Sequence, residues 1–357
     1  MFVLELLPAR EGDCLILTYG VSNSPKRVLI DGGRAATYDD LKRHTADAGT
    51  AFDLLIVTHV DRDHIEGVLE LVEDGDDAMT FGEVWFNGYH HLGDEDFETF
   101  GAVQGERLTE SLIKLHRAGA TRWNGSFGPD FQKAAALPAD DSLVEIPDGE
   151  LQWTLLSPTR TKLQAMESKW ERECEKAGII AGKDGSDPDE EGFESFGAID
   201  IEELAEEPFE EDGSPANGTS IALLAEHGGQ RVLLAGDAHP SLLLGSLRRF
   251  GGGDPVALDA FKVPHHGSRK NVSKELLAMI DCQRYVFSTN GSYFDHPDPV
   301  AVSRIIRYGG DDVQLWFNYR SPETLVWDNA RWQRDYGYSV HYPDADSNGF
   351  QRLSLAE

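Results

Sequence analysis

Four side chains able to hold a metal ion fall within six residues: His59, Asp61, Asp63 and His64, in the stretch THVDRDHIEG. Imidazole and carboxylate donors suit Zn²⁺, Mn²⁺ or Fe²⁺ and exclude a soft all-thiolate site. His59 and Asp61 alternate, so an extended loop turns both the same way. Asp63 and His64 are adjacent and point in different directions, toward a second ion or a held water. The stretch follows directly on the apolar run AFDLLIVTHV, 51–60. Polar groups placed there are costly unless paired or metal-bound. The same arrangement recurs where KRVLIDGG reaches Asp31, where VLLAGD reaches Asp237, and where AFKVPHHGS reaches His265 and His266. The fragment at 59–64 therefore reads as half of a metal site whose other half arrives later in the chain. Two ions about 3.5–4 Å apart would share a hydroxide, lower its pKa and clamp a phosphoryl group. Asp63 could also accept a proton or hold the nucleophile.

The elements that must position these residues are strands with helices between them. Strands are expected at 2–7, 14–19, 26–31, 51–60 and 83–87, and helices at 36–48, 64–73 and near 103–118. The run 51–60 is continuous and rich in β-branched residues, as in a strand buried on both faces. A hairpin follows at 143–158, then a helix at 160–178. The Gly-Gly turn inside TSIALLAEHGGQRVLLAGD, 219–237, marks a second hairpin. Beyond it come a helix at 239–249, strands at 257–268 and 284–291, a helix at 299–308, and short strands near 313–318, 323–327 and 338–342. Strand ends in layered α/β proteins gather at one sheet edge, where residues distant in sequence can meet.

Composition limits the function classes. The 357 residues carry a formal net charge of −31, and residues 184–212 alone hold fourteen Asp or Glu and no Lys or Arg. An acidic surface of this kind repels nucleic acid at long range, although bound divalent cations reverse the field locally. Residues 181–216 are rich in Gly, Pro and acid and read as a mobile insertion, a conceivable contact for a protein partner. No apolar run approaches the roughly 20 residues that span a bilayer, so no membrane partner is expected. The N-terminus lacks the pattern of a signal peptide, which points to the cytoplasm. The three cysteines, Cys14, Cys174 and Cys282, are widely spaced and read as free thiols. Trp85, Trp153, Trp316 and Trp327 lie in apolar strands and read as core. Lys262 reads as a solvated lysine, and His90 and His91 as a solvated loop. Arg248 and Arg249, before three glycines, lack the phosphate-loop pattern and read as a flexible connection.

In combination the motifs resemble the metallo-β-lactamase superfamily, whose metal loop is written H-x-H-x-D-H. This chain has Asp61 where most members have the second histidine. The H-x-D-x-D-H variant is similar to the branch typified by the nuclease domain of the competence protein ComEC. EGD at 11–13, VLIDGG at 28–33, NGTSIALL at 217–224, VLLAGDA at 232–238, KVPHHGS at 262–268 and STNGSYFDHPDP at 288–299 match in the same order. The resemblance covers roughly residues 2–310, apart from the acidic insertion and a variable region at 88–135. It implies a four-layer αββα metallo-β-lactamase sandwich, α/β in class, formed by the chain as one domain.

It further implies that His59 and Asp61 hold one divalent ion, Zn or Mn, and that Asp63 and His64 hold the other. Asp237 would bridge them and Asp31 would orient the loop from behind. The HHGS pair supplies one more ligand. His266 is favoured, leaving His265 to face the substrate, but the sequence leaves that choice open. Many members carry a further histidine ligand between the metal loop and the bridging aspartate. This chain has Asn217 near the matching point, which weakens the first site. His296, in DHPDP, is a second candidate to face the substrate. The implied activity is hydrolysis of a phosphodiester in a nucleic acid or a phosphorylated small molecule. A lactone, lactam or thioester hydrolase is the alternative, or else a binding module with a partly vestigial metal site. A diiron redox centre also fits the donor types, but it would need a flavin partner.

Overall fold

The computed structural model describes residues 1–356 except 47–48, 75–78, 93–102, 130, 177–198 and 348. Two sheets pack face to face. The first is built from β1 (Phe2–Leu6), β2 (Leu15–Tyr19), β3 (Lys26–Ile30), β4 (Ala51–Ile56), β5 (Thr80–Trp85) and β6 (Arg122–Trp123), with the C-terminal strand β17 (Gln351–Ala356) beside β1. The second runs from β7 (Val144–Asp148) through β8 (Leu151–Ser157), β9 (Ala222–His227), β10 (Gln230–Leu234), β12 (Ala260–Lys262), β14 (Arg284–Phe287) and β15 (Gln314–Phe317) to β16 (Ser339–His341). The short strands β11 (Val256–Leu258) and β13 (Ile280–Cys282) pair apart from both.

Strand alternation creates the layers. In β10, Val232 and Leu234 face the space between the sheets, while Leu233 turns outward. In β4, Leu54 and Ile56 face inward and Leu55 outward. Trp85 and Trp153 meet edge to face in the inner layer at 5.8 Å. The outer face of the first sheet is covered by α1 (Thr37–Thr45), α2 (Arg62–Glu73), α3 (Val103–Arg117) and α4 (Arg160–Lys176), through Leu41, Val68, Leu69, Leu108 and Leu163. The outer face of the second is covered by α5 (Ile201–Ala205), α7 (Pro240–Phe250), α8 (Lys274–Leu277) and α9 (Pro299–Tyr308), through Ile201, Leu243, Leu276 and Ile305. The single turn α6 (Pro215–Gly218) leads into β9. The result is a four-layer αββα sandwich.

Each sheet changes character part-way across. In the first, β17, β1, β2 and β3 are antiparallel and β3 to β6 parallel. In the second, β7 to β10 are antiparallel and β10 to β16 parallel. The parallel strands β3, β4, β10, β12 and β14 run directly into Asp31, His59, Asp237, His265–His266 and Ser288. Loops leaving parallel strands converge at the carboxyl edge, and here both sheets contribute to one edge.

Several expectations need correction. Of the expected mobile insertion 181–216, residues 181–198 lie outside the described residues, but 199–216 are built into the fold. Ile201 and Ala205 bury against the second sheet's helices, and Asp200 caps α5 by accepting from the Glu202 and Glu203 amides. The buried Arg304 guanidinium donates to the carbonyls of Glu207, Pro208, Arg269 and Val272. The segment 323–327 is not a strand: Pro322–Leu325 forms a helical turn, begun by Ser321 and by proline at its first position. In 88–135, residues 93–102 and 130 lie outside the described residues, and the rest supplies α3 and β6. Trp85, Trp153 and Trp327 are buried as expected, and Trp316 is half-buried against His341. Cys14 and Cys282 are free and buried. Among the described residues, no helix is long and apolar enough to cross a membrane.

Lys262 is not solvated. It is fully buried, and its Nζ donates to Asp13 Oδ2 at 2.6 Å. The partner comes from the EGD turn, which alternation within β12 does not reveal. Removing one member of a buried pair leaves the other charge uncompensated. Lys262→Ala should therefore lower stability by about 3–5 kcal/mol in urea denaturation. A loss within experimental error would show that the pair contributes nothing net.

Candidate metal centre

The site assembles at the shared carboxyl edge. Asp237 is buried, and its two oxygens face different partners. Oδ1 lies 3.5 Å from His64 Nε2 and 3.8 Å from His266 Nε2. Oδ2 lies 3.7 Å from His59 Nε2 and 3.8 Å from His265 Nε2. On the first side, Asp63 Oδ2 is 3.3 Å from His266 Nε2 and 3.8 Å from His64 Nε2. On the second, Asp61 Oδ2 is 3.5 Å from His59 Nε2, with its side chain 41% exposed. The set Asp63, His64 and His266 and the set His59, His64 and Asp237 each bring ligand atoms within 4.8 Å of one another.

The far nitrogen of each imidazole is held by another group. His64 Nδ1 meets Asp31 Oδ2 at 2.8 Å, and His266 Nδ1 meets the Ser288 carbonyl at 2.8 Å. His265 Nδ1 meets Asn271 Oδ1 at 3.0 Å. His59 Nδ1 lies 3.0 Å from Thr58 Oγ1 and 3.3 Å from Ser220 Oγ. Carbonyl or carboxylate acceptors hold the proton on Nδ1 of His64, His265 and His266. This leaves their Nε2 lone pairs for an ion and fixes the ring orientations. Asp31 also accepts from the Thr58 amide and hydroxyl at 2.7 and 2.8 Å, tying the metal loop to the end of β3.

The backbone is shaped to this end. Asp31, His265 and His266 all have φ near +50°, at 58°, 47° and 53°. Such conformations cost non-glycine residues of order 1–3 kcal/mol and persist only where surroundings enforce them. The EGD turn explains itself: a Cβ on Gly12 would lie 1.8 Å from the Asp63 carbonyl oxygen.

The electrostatics are those of a charged cluster without bulk water. Burial opposes the ionised form of Asp237, but His64, His265 and His266 hold its carboxyl well below the usual range. Asp63 is lowered in the same way by His64 and His266. Burial opposes charge on His64, yet Asp237, Asp63 and Asp31 raise it well above the ordinary imidazole value. His265 is raised to about 9 against burial, by Asp237 and Asp212. His59 Nε2 and Asp237 Oδ1 are buried with no hydrogen-bond partner. Orphaned donor atoms, imidazoles presenting Nε2 and an O-rich anionic shell together fit divalent ions.

The sequence-derived residues are all placed. His59, Asp61, Asp63, His64, Asp237 and His266 converge, with Asp31 behind them. His265 lies on the same carboxylate as His59. Asn217 is buried: its Nδ2 donates to Asp212 Oδ2 at 2.7 Å and lies 3.4 Å from His265 Nδ1, while its Oδ1 has no hydrogen-bond partner. His296 packs against His265 at 5.5 Å between ring centroids, and burial first, then the neighbouring His265, keeps it neutral. Phe294 stacks on His296, and Phe294 and Tyr293 are exposed beside it.

His90 and His91 do not form a solvated loop. His91 is buried, accepts from the Gly88 amide at 3.0 Å and bonds the Phe131 carbonyl at 2.7 Å. Arg248 and Arg249 end α7. Asp212 and Asn271 were missed. Asp212 ends the acid-rich stretch, where average composition conceals a single buried carboxylate. The segment is anchored by its amide, which bonds the Lys270 carbonyl at 3.1 Å.

No protein-family model and no curated protein matches the chain. Solved structures similar to it include the metallo-β-lactamase fold protein YhfI from Bacillus subtilis, at 12% identity and a TM-score of 0.40, covering 99% of this chain and all of that one. Another is CmlA, a diiron β-hydroxylase from Streptomyces venezuelae, at 12% identity and a TM-score of 0.42, covering 99% of this chain and 54% of that one. At that level of likeness the fold rests on the sheets described above, and the site on its own geometry.

Replacing Asp31 frees the His64 ring and detaches the metal loop. Asp31→Ala should weaken metal binding about 10–100-fold, as loss of an outer partner of a ligand does. Titration of the metal-stripped protein with Zn²⁺ measures this; wild-type affinity would show that Asp31 does not orient the ligand.

Proposed function

We propose that the protein is a metal-dependent hydrolase of phosphodiesters or related phosphate esters. The observation that carries this reading is Asp237, whose two oxygens each face a pair of histidine Nε2 atoms, with Asp61 and Asp63 alongside. That is the layout of a bridging carboxylate. Asp63, His64, His266 and Asp237 would hold one ion, and His59, Asp61 and Asp237 the other. Two divalent ions there, Zn or Mn, would supply Lewis acidity to an attacking water and to phosphoryl oxygens.

The chain's own residues do the rest. Asp63 lies between His64 and His266 and is kept ionised, so it can hold and orient the attacking water. His296 presents a neutral ring at the edge of the site toward a leaving group. Tyr293 and Phe294 offer exposed rings next to it, as a planar aromatic portion of a substrate would require. The oxygen-rich shell favours hard ions and phosphate chemistry over lactam hydrolysis. The likeness of the H-x-D-x-D-H loop to the ComEC nuclease branch supports the same bond class. The net charge of −31 argues for a small phosphorylated compound or a short single strand rather than tightly held duplex. Action in the cytoplasm belongs to the same reading.

Metal-stripped protein should cleave bis(p-nitrophenyl) phosphate only after Mn²⁺ or Zn²⁺ is restored, and Asp63→Ala should lower kcat by about 10²–10⁴-fold. A metal-loaded protein inert toward phosphodiesters but active on lactones or thioesters would replace this reading with the alternative hydrolase.

A further inference from the structure

The ion assigned above to His59, Asp61 and Asp237 has one histidine, where the ion assigned to Asp63, His64, His266 and Asp237 has two. We propose that His265 completes that site, opposite His59 across Asp237 Oδ2, and that Asp212 is the residue that positions it. The inference rests on the metal-centre reading and goes beyond it in naming a ligand and its support.

Symmetry about Asp237 is the first argument. Oδ1 is shared by His64 and His266 at 3.5 and 3.8 Å, and Oδ2 by His59 and His265 at 3.7 and 3.8 Å. A carboxylate bridging two ions would present each oxygen to its own ion, and the ligands of that ion would cluster about that oxygen. His265 clusters about the same oxygen as His59.

Ring orientation is the second. His265 Nδ1 faces Asn271 Oδ1 at 3.0 Å and Asp212 Oδ2 at 3.5 Å. Both are acceptors for an Nδ1 proton, although the Asn217 Nδ2 donor also lies 3.4 Å from Nδ1, so Nε2 is the nitrogen turned toward Asp237 and the one that would give up its proton to an ion. This is the arrangement that His64 has with Asp31 and His266 has with Ser288.

The third argument is the construction around Asp212. It accepts from the Ser214 amide at 2.8 Å, Asn217 Nδ2 at 2.7 Å and Asn271 Nδ2 at 3.3 Å. Asn271 Nδ2 also reaches the Asp237 carbonyl at 3.2 Å. The residue at the expected histidine position therefore braces the carboxylate that braces His265. Nearby, His239 Nε2 bonds the Ser214 carbonyl at 2.9 Å, which fixes the segment carrying Asp212 to the start of α7.

The test counts ions. Wild-type protein, stripped and titrated with Mn²⁺, should bind two ions per chain, seen by elemental analysis and by the exchange-coupled Mn²⁺ paramagnetic resonance signal. His265→Asn keeps a residue that tolerates the left-handed backbone but cannot reach Asp237. It should bind one ion and give an uncoupled signal. Asp212→Ala should weaken the same ion about 10–100-fold, as expected for loss of a ligand's outer partner, and Asp212→Asn should weaken it less. In each variant the ion held by Asp63, His64 and His266 should bind as in wild type, which also reports a folded centre. Two ions at wild-type affinity in His265→Asn would overturn the inference and return His265 to the substrate side. Wild-type affinity in Asp212→Ala would overturn the positioning role. A wild-type protein that binds one ion would overturn the inference as well, while one that binds none would overturn the metal-centre reading itself.

Discussion

The buried carboxylate of Asp237 is the constraint on which the rest depends. A lone carboxylate in that position would be expelled or protonated. Four imidazoles surround it, two to each oxygen, and His64, His265 and His266 hold it ionised. His64 and His265 are raised by the same carboxylate, and so carry part of the compensating charge as protons. An ion entering the cluster takes over that compensation and displaces protons as it does so. The same feature that makes the buried carboxylate tolerable thus makes the cluster receptive to an ion. Its surroundings also explain why both sheets end at one edge: no single strand end could supply four rings to one carboxylate.

The backbone cost is concentrated at the same place. Asp31, His265 and His266 hold left-handed conformations, and the strain persists only because neighbours fix the chain on both sides. The His265 amide bonds the Gly236 carbonyl at 3.0 Å, coupling the HHGS turn to the loop of Asp237. The Asp13–Lys262 pair ties the EGD turn to β12, and Ser288 Oγ donates to the Gly12 carbonyl at 2.8 Å. These contacts are distant in sequence and short in space. They let the turn between β1 and β2 and the loops after β10, β12 and β14 behave as one support beneath the ligands.

What was legible in the sequence follows from the range of the interactions. The metal loop was readable because its four donors lie within six residues and follow an apolar strand. The two hairpins and most helices were readable because periodicity and turn residues are local signals. Lys262, His91 and Asp212 were misread or missed because each is defined by a partner far along the chain: Asp13, the Phe131 carbonyl and His265. A run of acidic residues is a solvated segment on average, and Asp212 departs from that average only when α5 and Arg304 fasten the chain around it. By contrast, the C-terminal strand could have been found. QRLSLA alternates buried and exposed residues along its length, which is a period-two signal in plain view.

The acidity of the molecule and the anionic character of its site bear on the order of events. Asp61, Asp63, Asp212 and Asp237 crowd one edge of a chain whose net charge is −31. Without ions, such an edge repels a phosphate ester rather than concentrating it. Bound divalent cations would be the largest local charges and would invert the field over a short distance only, because salt screens the remainder beyond about 8 Å. Attraction would then be confined to a phosphate already at the edge, with no long-range pull on a polyanion. On the phosphodiesterase reading proposed above, such a site would select by contact, and the exposed rings of Tyr293 and Phe294 would carry more of the recognition than charge does. That division of labour, ions for the phosphate and aromatic surface for what is attached to it, is what the proposed phosphodiesterase reading would require.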